Sequence, residues 1–154
     1  MDVCLVDVDG ESHAAGAVDT PFTIMSVAKP FVFALACRAR GAERVRELVG
    51  VDATGLPFNS VAAVEGSPDG RTNPMVNAGA IQTTALVPGA TPDERWAAIS
   101  DGLSAFAGRP LELDAEVYAS ASATNDVNRA LAWLLNARGR MTGDPDVALD
   151  LYTR

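Results

Sequence analysis

Ser26 and Lys29 stand three positions apart in the run Thr23-Ile24-Met25-Ser26-Val27-Ala28-Lys29-Pro30-Phe31. Residues three apart on a helix share a face, so the lysine amine is placed to reach the serine hydroxyl. This is the S-x-x-K arrangement, in which a serine attacks a carbonyl and a lysine takes its proton. A lysine works as a base only where burial or nearby positive charge lowers its pKa. A helix N-terminus supplies partial positive charge and spare backbone donors. Serine and lysine also fall three apart by chance in many chains, and a serine near a helix start with a solvent-facing lysine is the plain alternative. The rest of the chain decides between the two.

Other chemistries are poorly supplied. The one histidine, His13, lies in an expected turn with no ligand spacing around it, which argues against a zinc site or a Ser-His-Asp triad. Cys4 and Cys37 form no motif and are expected as reduced thiols. The formal net charge of −8 argues against a nucleic-acid or anionic-membrane surface. No apolar run reaches the roughly 18 residues that a bilayer span requires. The acidic start Met1-Asp2-Val3-Cys4 lacks the basic opening of a secretion signal, so a cytoplasmic location is expected. With 154 residues, 48% apolar and 21% charged, the composition is that of one globular domain with a real core.

The elements that must position Ser26 and Lys29 follow from pattern. Residues 3–8 and 14–18 predict a β-hairpin turned at Asp9-Gly10-Glu11. A third extended piece, 22–25, delivers the chain to Ser26. A helix is expected over 31–37, stopped by Gly41. Pro30 disfavours helical geometry at Lys29 and cannot donate to the carbonyl four residues back. Residues 26–29 are therefore expected as a turn, partly 3₁₀, with regular helix after it. A short helix over 42–49 ends at Gly50. Residues 51–77 are rich in glycine, proline, asparagine and aspartate and predict one long irregular loop; such loops often carry function. A short apolar helix opens at Asn77 and fades near Pro88-Gly89. Thr91-Pro92-Asp93-Glu94 predicts a capped helix with Ile99, Leu103 and Phe106 on one face, ending at Gly108. Thr124 is expected to cap the next helix, with Val127, Leu131, Leu134 and Leu135 as its buried stripe before Gly139. Asp144-Pro145 starts a last helix through Val147, Leu151 and Tyr152, still running at Arg154. The expectation is thus a hairpin followed by five or so helices. A two-stranded hairpin is marginal alone, so its edges are expected to want further strands.

Several stretches, taken in order, carry a resemblance. They are Ser26-Val27-Ala28-Lys29-Pro30, Val49-Gly50, Thr54-Gly55-Leu56-Pro57-Phe58-Asn59-Ser60, and Asn73-Pro74-Met75-Val76-Asn77-Ala78-Gly79-Ala80-Ile81. Val117-Tyr118-Ala119-Ser120, Thr124-Asn125-Asp126-Val127-Asn128-Arg129-Ala130-Leu131-Ala132 and Leu149-Asp150-Leu151-Tyr152 complete the set. The chain resembles the serine-dependent glutaminases, which share the β-lactamase and transpeptidase fold. The Asn-Pro-Met-Val-Asn-Ala-Gly-Ala-Ile run is far more specific than S-x-x-K. The resemblance covers almost all of this chain, but only about the first half to two-thirds of a family catalytic domain.

The resemblance implies an α+β, β-lactamase/transpeptidase-like fold: an N-terminal β-hairpin plus a mainly helical subdomain, without the family's C-terminal strands. It implies one partial domain over 1–154, with hairpin and lead-in at 1–25 and a helical part at 26–154 containing the loop 51–77. It makes Ser26 the nucleophile and Lys29 its base. Asn77 and Asn128 would hold the α-carboxylate and α-amino end of glutamine, with Tyr152 at the same pocket and the Ser26 N–H as half of an oxyanion hole. L-glutamine would become L-glutamate and ammonia through an acyl-enzyme, with no metal or organic cofactor. No nucleic-acid or membrane partner is implied, and a homo-oligomer or self-association is expected. Plainer readings stay open: Asn77 as a helix cap, Asn128 as an ordinary helix-start residue, Tyr152 as core, Asn59 and Asn73 as turn residues.

Three departures bear on activity. The glutamate that follows Val-Tyr-x-Ser in the family, and binds the substrate ammonium, is here Ala121. The nearest acidic residues, Glu116 and Asp126, lie five positions to either side. The family's later strands, with a tyrosine near the nucleophile and the second oxyanion donor, are absent, as is an upstream tyrosine-bearing segment. One oxyanion donor is worth a factor of about 100–1,000 in rate. The expectation is therefore an impaired glutaminase, with a non-catalytic glutaminase-like binding module as the alternative. A relative acting on β-lactams or peptides is a third reading, which the asparagine-rich run opposes.

Overall fold

The structure, a computed structural model, describes residues 1–154. Strand β1 (Val3–Val6) pairs antiparallel with β2 (Ser12–Ala15), Val3 opposite Ala15 and Val6 opposite Ser12. Asp7 builds the turn by accepting the N–H groups of Asp9 and Glu11 on one carboxylate oxygen. The second strand sits earlier than the expected 14–18 because Gly16, at φ 91°, turns the chain away. The Ala17 N–H then donates to Asp2 Oδ1 at 2.8 Å. Both strands are exposed along their whole length, and no hydrogen bond ties residues 1–20 to the helices.

Residues 22–25 form no strand. Met25 instead takes φ 48° and begins a 3₁₀ turn, Met25–Val27, from which α1 (Ala28–Arg40) continues directly. Lys29 is therefore fully helical, contrary to the expectation from Pro30. Pro30 is the third residue of α1, where a backbone N–H has no partner within the helix, so its missing donor costs nothing there. Helix α2 (Ala42–Val49) follows as expected and stops at Gly50.

The segment 51–77 is not one irregular loop; it contains α3 (Val61–Glu65). Its remaining turns are fastened by side chains. Asn73 donates to the Asp52 carbonyl at 2.9 Å and accepts the Met75 N–H at 3.0 Å, the turn role left open for it.

Helix α4 (Asn77–Ala85) is the centre of the helical part, and all nine of its residues are buried. Its small side chains allow this. A Cβ on Gly79 would lie 2.0 Å from the Asn73 carbonyl oxygen, so only glycine admits the loop so close. Helix α5 (Pro92–Ala107) carries the complete Thr91/Glu94 capping box. Phe106 is 53% exposed, its ring tilted against Phe31 with 5.0 Å between centroids.

Helix α6 (Ala115–Ala123) is absent from the sequence expectation. Its alanines and serines make no apolar stripe and none of its residues is buried, but Asp114 caps it by accepting the Glu116 and Val117 N–H groups. Thr124 closes this helix rather than opening the next: its hydroxyl donates to the Ser120 carbonyl. Helix α7 (Asp126–Ala137) starts after Asn125. Its buried stripe is Leu131, Ala132 and Leu135, with Val127 left 50% exposed at the first turn. Helix α8 (Pro145–Thr153) is capped by Asp144.

Eight α-helices thus replace the expected five or so. Ile81, Ala85, Leu131, Leu135 and Leu149 interlock from α4, α7 and α8 as the main core, each large side chain contributing about 1.5–3 kcal/mol by burial. Val32, Val87, Ile99 and Leu151 form a second cluster, and Ala36, Val45, Val49 and Leu86 a third. No helix is long and apolar enough to cross a membrane.

Candidate active site

Ser26 sits in the middle of the 3₁₀ turn, exposed, directly after the left-handed Met25. Lys29 lies in the first turn of α1 and is only 8% exposed. Both line one cleft. The Lys29 amine does not hydrogen-bond the serine; it donates to Asn77 Oδ1 at 2.7 Å, with the Phe58 ring centroid 5.9 Å away. Burial pushes the Lys29 ammonium below the usual lysine range, the direction a base requires.

Asn77 is the first residue of α4. Its N–H donates to the Phe58 carbonyl at 2.8 Å, while its side chain bonds no backbone of its own helix, so it is not a cap. Its amide nitrogen donates to Asn128 Oδ1 at 2.8 Å. The Asn128 nitrogen donates to Asn125 Oδ1 at 2.6 Å, and the Asn125 nitrogen to Thr153 Oγ1 at 2.7 Å. The Thr153 hydroxyl proton goes to the Leu149 carbonyl at 2.7 Å. One directed chain of hydrogen bonds therefore runs from α8, through the start of α7 and the start of α4, to Lys29 in α1.

The cleft measures about 760 Å³ and is mostly apolar with a few convergent polar groups, the ordinary make-up of a small-molecule site. Asn77, Asn128 and Tyr152 line it with Ser26 and Lys29, so all five residues singled out in the sequence meet in one place. Tyr152 lines the cleft and also packs against the main core; burial raises its phenol to about 12. Ala121 faces the cleft, whereas Glu116 and Asp126 do not line it. The carboxylates that do line it are Glu112 and Asp114, the latter occupied in capping α6. Beside them Tyr118 donates to Asp150, and Arg154 pairs with Asp150 at 2.9 Å while stacking near Trp96 and Tyr118. Asn59 is not among the lining residues. Sequence reading gave no place to Asn125 or Thr153. The only signal for Asn125 was its position inside the Thr124–Ala132 stretch, and Thr153 had none.

The fold is that of the hairpin and helical subdomain of a β-lactamase-like α+β protein, with Ser26 and Lys29 lining one cleft. The family model described as Glutaminase matches residues 1–154, and the chain belongs to the glutaminase family. It is 60% identical over 152 residues to Glutaminase 2 of Yersinia pestis, covering 99% of this chain and 45% of that protein. It is 47% identical over 152 residues to a glutaminase of Brucella abortus (strain S19), covering 48% of it. Among solved structures, that of the probable glutaminase YbaS superposes with a TM-score of 0.95 at 41% identity, covering 99% of this chain and 50% of that one. A Bacillus glutaminase in 4.3 M NaCl gives 0.95 at 30% identity, covering 99% and 52%. The chain spans about half the length of the curated relatives it matches.

Proposed function

We propose that the cleft serves glutaminase chemistry, the hydrolysis of L-glutamine to L-glutamate and ammonia. The observation that carries this reading is the buried Lys29, held by Asn77 in the same cleft as Ser26. Ser26 attacks the side-chain amide carbonyl, Lys29 takes the hydroxyl proton and passes it to the departing ammonia, and water then hydrolyses the acyl-enzyme. Asn77, Asn128 and Tyr152 receive the amino-acid end of glutamine. Each asparagine amide spends only part of its capacity on its neighbours, because the oxygen accepts twice and the nitrogen donates twice.

Residues 1–154 act as one partial domain, hairpin 1–25 and helical part 26–154, whose oxyanion hole is completed by strands outside it. Turnover by this chain alone is accordingly reduced by a factor of about 100–1,000. The protein is cytoplasmic, its partner a small molecule rather than nucleic acid or membrane, and it self-associates through the bare hairpin. A second reading, a non-catalytic glutaminase-like binding module, is favoured by Ala121, whose methyl faces the cleft where a carboxylate would neutralise the substrate ammonium.

Ammonia release from glutamine, compared between the chain and its Ser26→Ala variant, separates the two. Release that disappears with Ser26 supports catalysis; equal background in both assigns the chain to the binding reading. Ala121→Glu is expected to tighten glutamine binding, and no tightening would count against the placement of the substrate ammonium.

A further inference from the structure

The amide chain behind Lys29 has a direction, and the direction has a source. A primary amide presents oxygen on one side and N–H on the other, so each asparagine can be turned over at little cost unless its partners forbid it. Lys29, as an ammonium, offers only donors and demands the same direction from its own end, but as a neutral amine it can also accept and fixes no direction. At the other end stands Thr153, whose hydroxyl proton is committed to the Leu149 carbonyl one turn earlier in α8. With its proton spent, the Thr153 oxygen can only accept from its next partner. Asn125 must therefore turn its nitrogen to Thr153 and its oxygen to Asn128; Asn128 must then turn its oxygen to Asn77; Asn77 must turn its oxygen to Lys29.

We propose that Thr153 is a positioning residue which, through Asn125, Asn128 and Asn77, fixes the direction of this chain so that Lys29 always meets an acceptor. Neither Thr153 nor Asn125 bonds to Lys29, so any effect on it passes through the amides. Besides Ser26, the titratable and charged groups of the cleft are Tyr118 from α6, Glu112 and Asp114 before it, Tyr152 from α8 and Arg154 after it; none is hydrogen-bonded or ion-paired to Lys29. Only the functional weight of Lys29 rests on the glutaminase reading, since the direction of the chain is a property of the folded protein.

The sequence offers a clean test, because Lys29 is the only lysine and the α-amine of Met1 the only other amine. Trace labelling of the full chain with acetic anhydride across the pH range of both amines, read by peptide mass spectrometry, titrates Lys29 with the α-amine as internal reference. Without the threonine oxygen the asparagines can turn over, and an N–H aimed at Lys29 is tolerated by the neutral amine but not by the ammonium. Thr153→Val is thus expected to lower the apparent Lys29 pKa by about one unit. Thr153→Ser restores the hydroxyl and the wild-type titration. Val45→Ala, which opens the separate cluster of Ala36, Val45, Val49 and Leu86, destabilises the fold but leaves the titration in place. An unshifted Thr153→Val, a serine variant that titrates like valine, or an equal shift in Val45→Ala would overturn the proposal. The readout is amine reactivity, so failure here and failure of glutamine hydrolysis are seen separately.

Discussion

At the scale of single residues, two side chains around the cleft make measurable commitments. Met25 holds a left-handed backbone at φ 48°, which costs a non-glycine residue about 1–2 kcal/mol. Its side chain is largely exposed, so little packing is lost on its removal. Met25→Gly is therefore expected to raise stability by about 0.5–1 kcal/mol once the extra freedom of glycine in the unfolded chain is subtracted. Thermal melting reads this as an increase of roughly 2 °C; a fall would mean that the turn is not strained. Tyr152 commits the protein at high pH. Its folded-state pKa, about 12, lies above the unfolded value of 10.0, so the unfolded chain ionises first as pH rises. Stability from this group is complete below about pH 10 and is lost between about 10 and about 12, amounting to about 1 kcal/mol at pH 11. Denaturant titrations at about pH 9 and 11 should show that loss in the wild type and not in Tyr152→Phe. The serine–lysine spacing and the asparagine-rich run were legible because each is a local string of residue types. The amide chain was not, because its direction is decided by α8 and read out in α1.

At the scale of elements, legibility followed how local the determining chemistry is. The start of α5 was readable because Thr91, Pro92 and Glu94 settle it within four residues. Helix α6 escaped because its one strong signal, Asp114, precedes a run of alanine and serine with no apolar period. Pro30 misled for a positional reason: the same residue that breaks a helix interior is harmless in a first turn. Helix α4 is the element on which the site depends most, since it brings Asn77 between Lys29 and Asn128 while burying every residue it has. That burial is possible only while the loop bearing Asn73 can lie against Gly79. Gly79→Ala would force its Cβ to within 2.0 Å of a backbone oxygen that a side-chain rotation cannot move. A destabilisation of roughly 2–3 kcal/mol is expected, with α4 displaced from Lys29. Chemical denaturation measures the first effect and Lys29 labelling the second. An unchanged midpoint would show that the loop yields easily.

At the scale of the whole molecule, the helical part is closed and the hairpin is not. Three apolar clusters account for the large buried apolar side chains of the helices. By contrast Val3, Leu5, Val6, Val8 and Phe22 all stand exposed on the first 22 residues, Phe22 at 89%. An exposed two-stranded sheet with free edges and apolar faces is an association surface, because its unpaired backbone groups and side chains gain from a second strand pair. A second copy of the chain can pair with these exposed strands. Sedimentation velocity over a concentration series should therefore show concentration-dependent association. The net charge of −8 opposes contact between copies, so raising the salt concentration should strengthen it. Leu5→Glu places a charge in the middle of β1 and is expected to shift the population toward monomer. Val51→Glu, an equally exposed apolar position in the loop after α2, should leave the association as it was. If both substitutions dissolve the association alike, the contact is general stickiness rather than hairpin pairing. A chain that sediments as a monomer at every concentration would show that the hairpin faces need no cover.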